Sequence, residues 1–555
     1  MNRSALAIGF ATALIATTVY TYQTGLLQPA PEVEAPPQPA QAAADAPNVL
    51  FLVWDTTRAD RLSLYGYDKP TTPNLERWGA KGVVFDRAVS PAMWTPPSHS
   101  SMFTGAAPTH HGVEATNKWL DAHHTTLAEW LGQHGYDTWA FSANPYVAPS
   151  TNITQGFTQV DTTFSGKWRK EARKATRSKL IDEDASTDIS PRWKAQPGQR
   201  ASGMAHAFKD AGPVAHAALF EWFQARPDPA KPWFAFINMM EAHIPRVPSM
   251  ESRKALMNDE QIALGLVTDA AQINLLAHTF GKKHFTPAQV DAINGVYDAA
   301  ILDMDMATGA LLDDLERKGL LKNTIVVLTA DHGENLGDHG MFGHKFNVYD
   351  TLLHVPLVVW WPGHLDPKRV AFPVSNLNLF TTLLDLVGLA PPPDKIESTG
   401  SLLDLAAAVP VFAELNEATP VSINRIAGLY GIEDKSPYLR TYRAVEFDGW
   451  KYIEVSDFEH KALPGMHELY ELATDPLEST NRAAEQPERV AALQRLVDDW
   501  VKSVPVYDPS QRSEEDKHKP VDGGNKAMKD MLHELGYIDG EEGEEAPAEG
   551  DLDGM

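Results

Sequence analysis

Five short, almost wholly apolar runs constrain this chain more than any other feature: Val49–Trp54, Trp139–Ser142, Pro232–Asn238, Ile325–Thr329 and Val355–Trp361. A strand buried on one face alternates apolar and polar side chains, whereas these runs offer no polar face. Helix-length stretches separate them, which is the spacing of parallel strands joined by long crossovers. The expectation is an α/β protein with a large mixed, mostly parallel sheet sandwiched by helices.

At 555 residues the chain is too long for one ordinary core. Its texture changes after about residue 430. Thr441–Phe447, the turn dipeptide Asp448-Gly449 and Trp450–Val455 predict an antiparallel hairpin, and Pro487–Val501 has apolar residues at helical spacing. A small C-terminal subdomain of antiparallel sheet plus helix is therefore expected over 431–507, after a catalytic domain over 48–430. At the N-terminus, Arg3 precedes an apolar run from Ala5 to Tyr22, and a Pro/Ala-rich stretch follows. Residues 1–24 read as an uncleaved signal anchor in preference to a cleaved signal peptide, and 25–47 as an extended linker. Either form exports the folded part, anchored to a membrane and facing the periplasm or exterior, or secreted if cleaved. Residues 508–555 form an acidic tail with no expected structure; its last fifteen residues hold seven acids and no base. No internal repeat is present.

Composition removes several function classes. There is no cysteine, hence no disulfide, thiolate metal site or cysteine nucleophile. The net charge of −26 repels phosphate backbones, so nucleic acid is not an expected partner.

Polar chemistry gathers where apolar runs end. The first run leads into Asp55-Thr56-Thr57-Arg58-Ala59-Asp60, and the fourth into Asp331-His332-Gly333-Glu334, then Gly337-Asp338-His339-Gly340 and Gly343-His344-Lys345. The carboxyl ends of parallel strands are where α/β enzymes hold ligands. Adjacent Asp and His at such an end suit a borderline divalent metal. A third element, Trp94-Thr95-Pro96-Pro97-Ser98-His99, reads as a helix start with Thr95 as the cap, near the positive end of the helix dipole.

Together these stretches resemble the sulfatase family of the alkaline-phosphatase superfamily. The resemblance rests, in order and spacing, on "NVLFLVWDTTRADRLSLYGYDKPTTPNLERWGAKGVVFDRAVS", "TPPSHSSMFTGAAPTHHGV", "ADHGENLGDHG" and "YDTLLHVPLVVWWPG". Weaker agreement comes from "PWFAFINMMEAHIP", "ELYELATDPLESTN" and the late "LHELGYID" at residues 532–539. It implies an alkaline-phosphatase-like fold, with Asp55, Asp331 and His332 as metal ligands and Thr95 at the nucleophile position. The chain departs from the family pattern there. Threonine cannot become the formylglycine that sulfatases make from Cys or Ser, the arginine that usually follows is His99, and the second acid of the first pair is Thr56. This looks like a Thr-nucleophile, sulfatase-like branch.

The implied site holds one divalent cation, Zn²⁺ or Mn²⁺ rather than Ca²⁺ or Mg²⁺, with Thr95 as a further ligand. His243, His344 and Lys345 are expected to meet the ester's charge and protonate the leaving oxygen. His99, Asn144 and His339 are expected beside the substrate or behind the ligands; His110 and His111 are read as structural. The expected activity is hydrolysis of an anionic sulfate or phosphate ester, phosphate in preference, through a covalent Thr95 ester. The alternatives are a membrane-anchored phospho-headgroup transferase, a sulfatase working without formylglycine, and a decayed binding protein. One feature lies outside this scheme. Seven bases (Lys167, Arg169, Lys170, Arg173, Lys174, Arg177, Lys179) face one acid, Glu171, at helical spacing.

Overall fold

The computed structural model describes residues 45–512, apart from 165, 180, 183–186, 189–209, 269, 394–399, 406, 418, 419 and 458. The expected signal anchor, nearly all of the linker, the tail beyond 512 and "LHELGYID" lie outside the described residues. Among the described residues no helix is long and apolar enough to cross a membrane.

A nine-stranded sheet organises the chain. Its strands are β1 (Asn48–Trp54), β2 (Val83–Val89), β3 (Asp137–Ser142), β4 (Gln159–Thr162), β5 (Trp233–Met239), β6 (Thr324–Thr329), β7 (His354–Trp360), β8 (Lys368–Val370) and β9 (Val374–Ser375). The order is β8-β2-β7-β6-β1-β5-β3-β4, with β9 also on β2. Strands β6, β1, β5, β3 and β4 run parallel, so their carboxyl ends share one edge. Alternate residues of β1 feed opposite layers: Leu50, Leu52 and Trp54 pack on one face, Val49, Phe51 and Val53 on the other. Helices cover both faces, which is why no polar alternation survives in the sequence.

All five apolar runs are strands of this sheet, but one direction is corrected. β7 is antiparallel to both β6 and β2. An unbroken apolar run records burial on both faces, and burial carries no direction; β7 returns from β6 through the site loop, without a crossover helix. Pro356 sits in β7 where the pairing with β2 shifts register, a position where a missing N–H is tolerated. β2 escaped sequence reading because Asp86 and Arg87 interrupt it.

The helices that matter for the site are α1 (Thr95–Thr104), α2 (Trp168–Ser178), α3 (Ala211–Ala225) and the 31-residue α4 (Pro287–Arg317). A separate antiparallel sheet of β10 (Val411–Leu415), β11 (Arg440–Phe447), β12 (Trp450–Asp457) and β13 (Ala462–Glu471) includes the expected hairpin. Its first strand lies upstream of residue 430. The helix α5 (Pro487–Ser503) packs Val490, Leu493 and Val497 on Val445, Tyr452 and Leu469.

Candidate active site

Two neighbouring parallel strands deliver the central groups. β1 leads directly into Asp55 and β6 leads through Ala330 to Asp331 and His332, and all three side chains are fully buried. One ligand atom from each, two carboxylate oxygens and an imidazole nitrogen, lies within 4.8 Å of the others. Thr56 takes a left-handed backbone at φ 57°, unusual for a β-branched residue. Its amide donates to Asp331 Oδ1 at 3.2 Å, and the Tyr297 hydroxyl donates to its carbonyl at 2.7 Å. The bend thus ties the β1 end to the β6 end.

Each of the three side chains has one end fixed and one end open. Asp55 Oδ2 accepts from Asn144 Nδ2 at 2.7 Å and Asn238 Nδ2 at 3.3 Å, while its Oδ1 has no hydrogen-bond partner among the described residues. Asp331 Oδ1 accepts from the Thr56 and His332 amides, and Oδ2 lies 3.4 Å from His332 Nε2. The Asp331 carbonyl accepts from Ser90 at 2.5 Å and Ser98 at 2.7 Å. His332 Nδ1 donates to the Gly333 carbonyl at 2.8 Å, which leaves Nε2 as a lone pair facing the cluster. Burial and then mutual repulsion push Asp55 up to about 7, and burial pushes Asp331 up to about 7. Two buried carboxylates with open oxygens beside an imidazole lone pair fit a divalent cation, whose charge would reverse both shifts.

Thr95 stands directly over this triad. Its Oγ1 is 3.3 Å from His332 Nε2 and 3.3 Å from Asn144 Nδ2, and the residue is fully buried. One local expectation is corrected. Thr95 is the first residue of α1, Trp94 takes the cap position, and no side chain caps the helix. The Thr95 hydroxyl is thereby turned toward the ligands. Pro96 and Pro97 also remove two of the N–H groups that a helix start ordinarily offers an anion.

A second buried group adjoins the triad. The ring centroids of His344 lie 4.6 Å from His332 and 5.1 Å from His243. His344 Nδ1 pairs with Glu334 Oε1 at 3.1 Å, and Arg246 Nη2 holds Glu334 Oε2 at 2.7 Å. Burial lowers the pKa of His344 against the opposing pull of Glu334. Lys345 is buried beside His344. His99, pushed down to about 3 by burial, is neutral; its Nδ1 contacts the Thr95 carbonyl at 3.1 Å, with Asp331 Oδ2 at 3.5 Å. His99 thus braces α1 against a ligand. His339 is not drawn in: it is exposed and stacks on Tyr349 at 4.0 Å. His111 is a structural residue, bonded to Ser101 and the Val113 amide.

Sequence reading missed Asn238, Glu334, Arg246 and Arg58. Asn238 carried the signal that marked Asp55, a polar residue closing an apolar strand. Glu334 lay inside a quoted motif, and Arg246 follows the His-x-Pro stretch directly. Arg58, also buried, clamps Asp60 and Asp338 at 2.7 and 2.6 Å and so ties the loops after β1 and β6 together.

Residues 47–389 match the sulfatase family model. The chain is 26% identical over 493 residues to arylsulfatase K of Bos taurus, covering 85% of this chain and 84% of that one. It is 23% identical over 504 residues to N-acetylgalactosamine-6-O-sulfatase of Bacteroides thetaiotaomicron, covering 81% and 92%. The crystal structure of the phosphonate monoester hydrolase of Agrobacterium radiobacter superposes with a TM-score of 0.61 at 22% identity, covering 82% of this chain and 95% of that one.

Proposed function

The chain belongs to the sulfatase family and is a hydrolase of sulfuric or phosphoric esters; from that premise we propose that it prefers phosphate mono- or diesters and cleaves them through a covalent ester on Thr95. The observation that carries this reading is an unmodified threonine hydroxyl 3.3 Å from His332 Nε2, above a buried two-carboxylate pair. A threonine side chain oxidises to a ketone and not to the formylglycine aldehyde, so the sulfate chemistry that depends on the aldehyde hydrate has no starting group. A hydroxyl beside a divalent site suits attack on phosphorus.

A divalent cation held by Asp55, Asp331, His332 and Thr95 would supply Lewis acidity to the ester oxygens and favour the alkoxide of Thr95. The protein groups divide the remaining work. Asn144 orients Thr95 Oγ1 and Asp55 together. Thr95 Oγ1 attacks phosphorus in line, the new O–P bond forms and the bond to the leaving oxygen breaks. The hydroxyl proton is given up to solvent as the new O–P bond forms. The leaving oxygen takes a proton from the His243, His344 and Lys345 group. Water then attacks phosphorus, breaks the Oγ1–P bond and restores the hydroxyl. The apolar N-terminal run supports an exported protein, anchored or secreted.

The test is turnover of aryl phosphate monoester, phosphodiester and sulfate by purified protein with Mn²⁺ or Zn²⁺, beside Thr95→Ala. Phosphoester turnover that falls by about 10⁴-fold or more in the variant is expected for loss of a nucleophile. Sulfate turnover lost in the variant would reverse the preference, and phosphoester turnover that survives in it would remove Thr95 from the mechanism. Capture of the phospho-group by an added alcohol would identify a transferase.

A further inference from the structure

The basic segment noted above forms α2, and its two faces do different work. Trp168, Ala172 and Thr176 are buried, one per helical turn, and Trp168 and Ala172 join the core layer of Ala215, Leu219 and Trp222 from α3. Lys167 and Lys179, at either end, are engaged in ion pairs, Lys167 on the surface and Lys179 with buried acids. Lys167 pairs with Glu221, and Lys179 holds Asp210 and Asp303 at 2.9 Å each. Asp303 also accepts from the Ser249 amide and from the Ser249 and Ser252 hydroxyls, in the stretch that follows His243. The residue after α2 is therefore linked through Asp303 to Ser249, in the stretch that follows His243.

The outward face is left with Lys170, Arg173 and Lys174, all exposed, and the half-buried Arg169. Among the described residues Lys170 and Lys174 make no ion pair. Lys170 meets Arg173 and Lys174 at i+3 and i+4, and Arg169 meets Arg173 at i+4; each such like-charge pair destabilises a helix. A face kept only for solubility would intersperse acids, as the surface of a −26 protein could readily do. The strip, about 8 Å along the helix axis, concentrates positive charge against the sign of the whole molecule.

We propose that the outer face of α2, centred on Lys170 and Lys174, docks the non-reacting part of a polyanionic substrate, a polysaccharide bearing several sulfate or phosphate esters. This rests on the reading of the neighbouring site as one for anionic esters. Charge complementarity selects the occupant. A chain of net charge −26 repels a polyanion on the whole, so a local cationic strip linked to the site through Lys179 and Asp303 gives both capture and direction.

Heparin serves as the probe, with full-length protein and two charge-matched variants: Lys170→Glu/Lys174→Glu, and Lys282→Glu/Lys322→Glu as a control of equal net charge. The expected result is heparin binding weakened about tenfold in the α2 variant, with a salt dependence lower by about two charges, and a change under twofold in the control. Turnover of a small aryl ester stays unchanged in both. Equal losses in the two variants, or no heparin binding by the wild-type protein, would overturn the proposal. So would loss of binding to phosphatidylserine vesicles in the α2 variant with heparin binding intact, which would assign the face to a membrane surface. Heparin binding is read without catalysis, so docking stands even if the ester assay fails, and the two readings fail separately.

Discussion

The Asp55 and Asp331 carboxyls set the behaviour of the site at the scale of single residues. Their ordinary value is 3.8 and both are raised to about 7. Without a cation, the folded protein keeps protons that the unfolded chain releases above pH 4. The pair then costs stability progressively as pH rises from about 4 to 7, and in full above that. A bound divalent cation removes the cost, and protons compete with it at lower pH. Stripped protein is therefore expected to gain more thermal stability from Mn²⁺ at about pH 7.5 than at about pH 5.5 in a melting experiment. Asp55→Asn should lose the gain at both; equal gains at the two pH values would remove the carboxyl pair from the cation site. Asp55, Asp331 and His332 stand out locally as polar groups closing apolar runs, but the roles expected of them, and of Thr95, came from the resemblance to the sulfatase family. Arg246 and Glu334 were not legible, since their meaning lies in contacts that span 88 positions.

At the scale of elements, the loop after β6 depends on a close approach. A Cβ on Gly333 would stand 2.1 Å from the Thr351 carbonyl and 2.9 Å from Arg58 Cγ. The first neighbour is backbone and cannot move aside. Gly333→Ala should displace the loop that carries Asp331 and His332, costing about 1–3 kcal/mol in chemical denaturation. It should also abolish the Mn²⁺-dependent rise in melting temperature; a variant with the full rise would show that the loop tolerates the methyl. The direction of β7 belongs to this scale as well. Its residues specify burial on two faces, and its antiparallel course follows from the connection and from pairing with β2.

For the molecule as a whole, a buried ion-pair network joins the two sheets. Arg87 on β2 pairs with Glu446 on β11 and with Asp350, and Lys451 on β12 holds Asp350 and Glu478 at 2.7 Å each. Asp350 follows the site loop, so the small sheet is fastened to the chain that carries His344 and Lys345. Removing one partner strands buried charge, and Lys451→Met is expected to cost about 3–5 kcal/mol of unfolding free energy. Denaturant titration checks this. Unchanged stability would mean that the network relaxes around the loss. Salt should barely affect this network, because it is buried, whereas it should weaken any contact made by the exposed face of α2.

The sequence by itself determined the layered α/β architecture and the C-terminal hairpin and helix, and it placed Asp55, Asp331 and His332 at the ends of apolar runs. Those features follow from short-range periodicity and from residue types at strand ends, which every local segment carries within itself. Only the tertiary structure decided that Thr95 lies 3.3 Å from His332, that Glu334 and Arg246 stand behind His344, and that His339 stays on the surface. It likewise divided the basic helix into a buried face and a charged one. These are long-range facts, set by how strands register and helices pack, and no segment of the chain contains them alone.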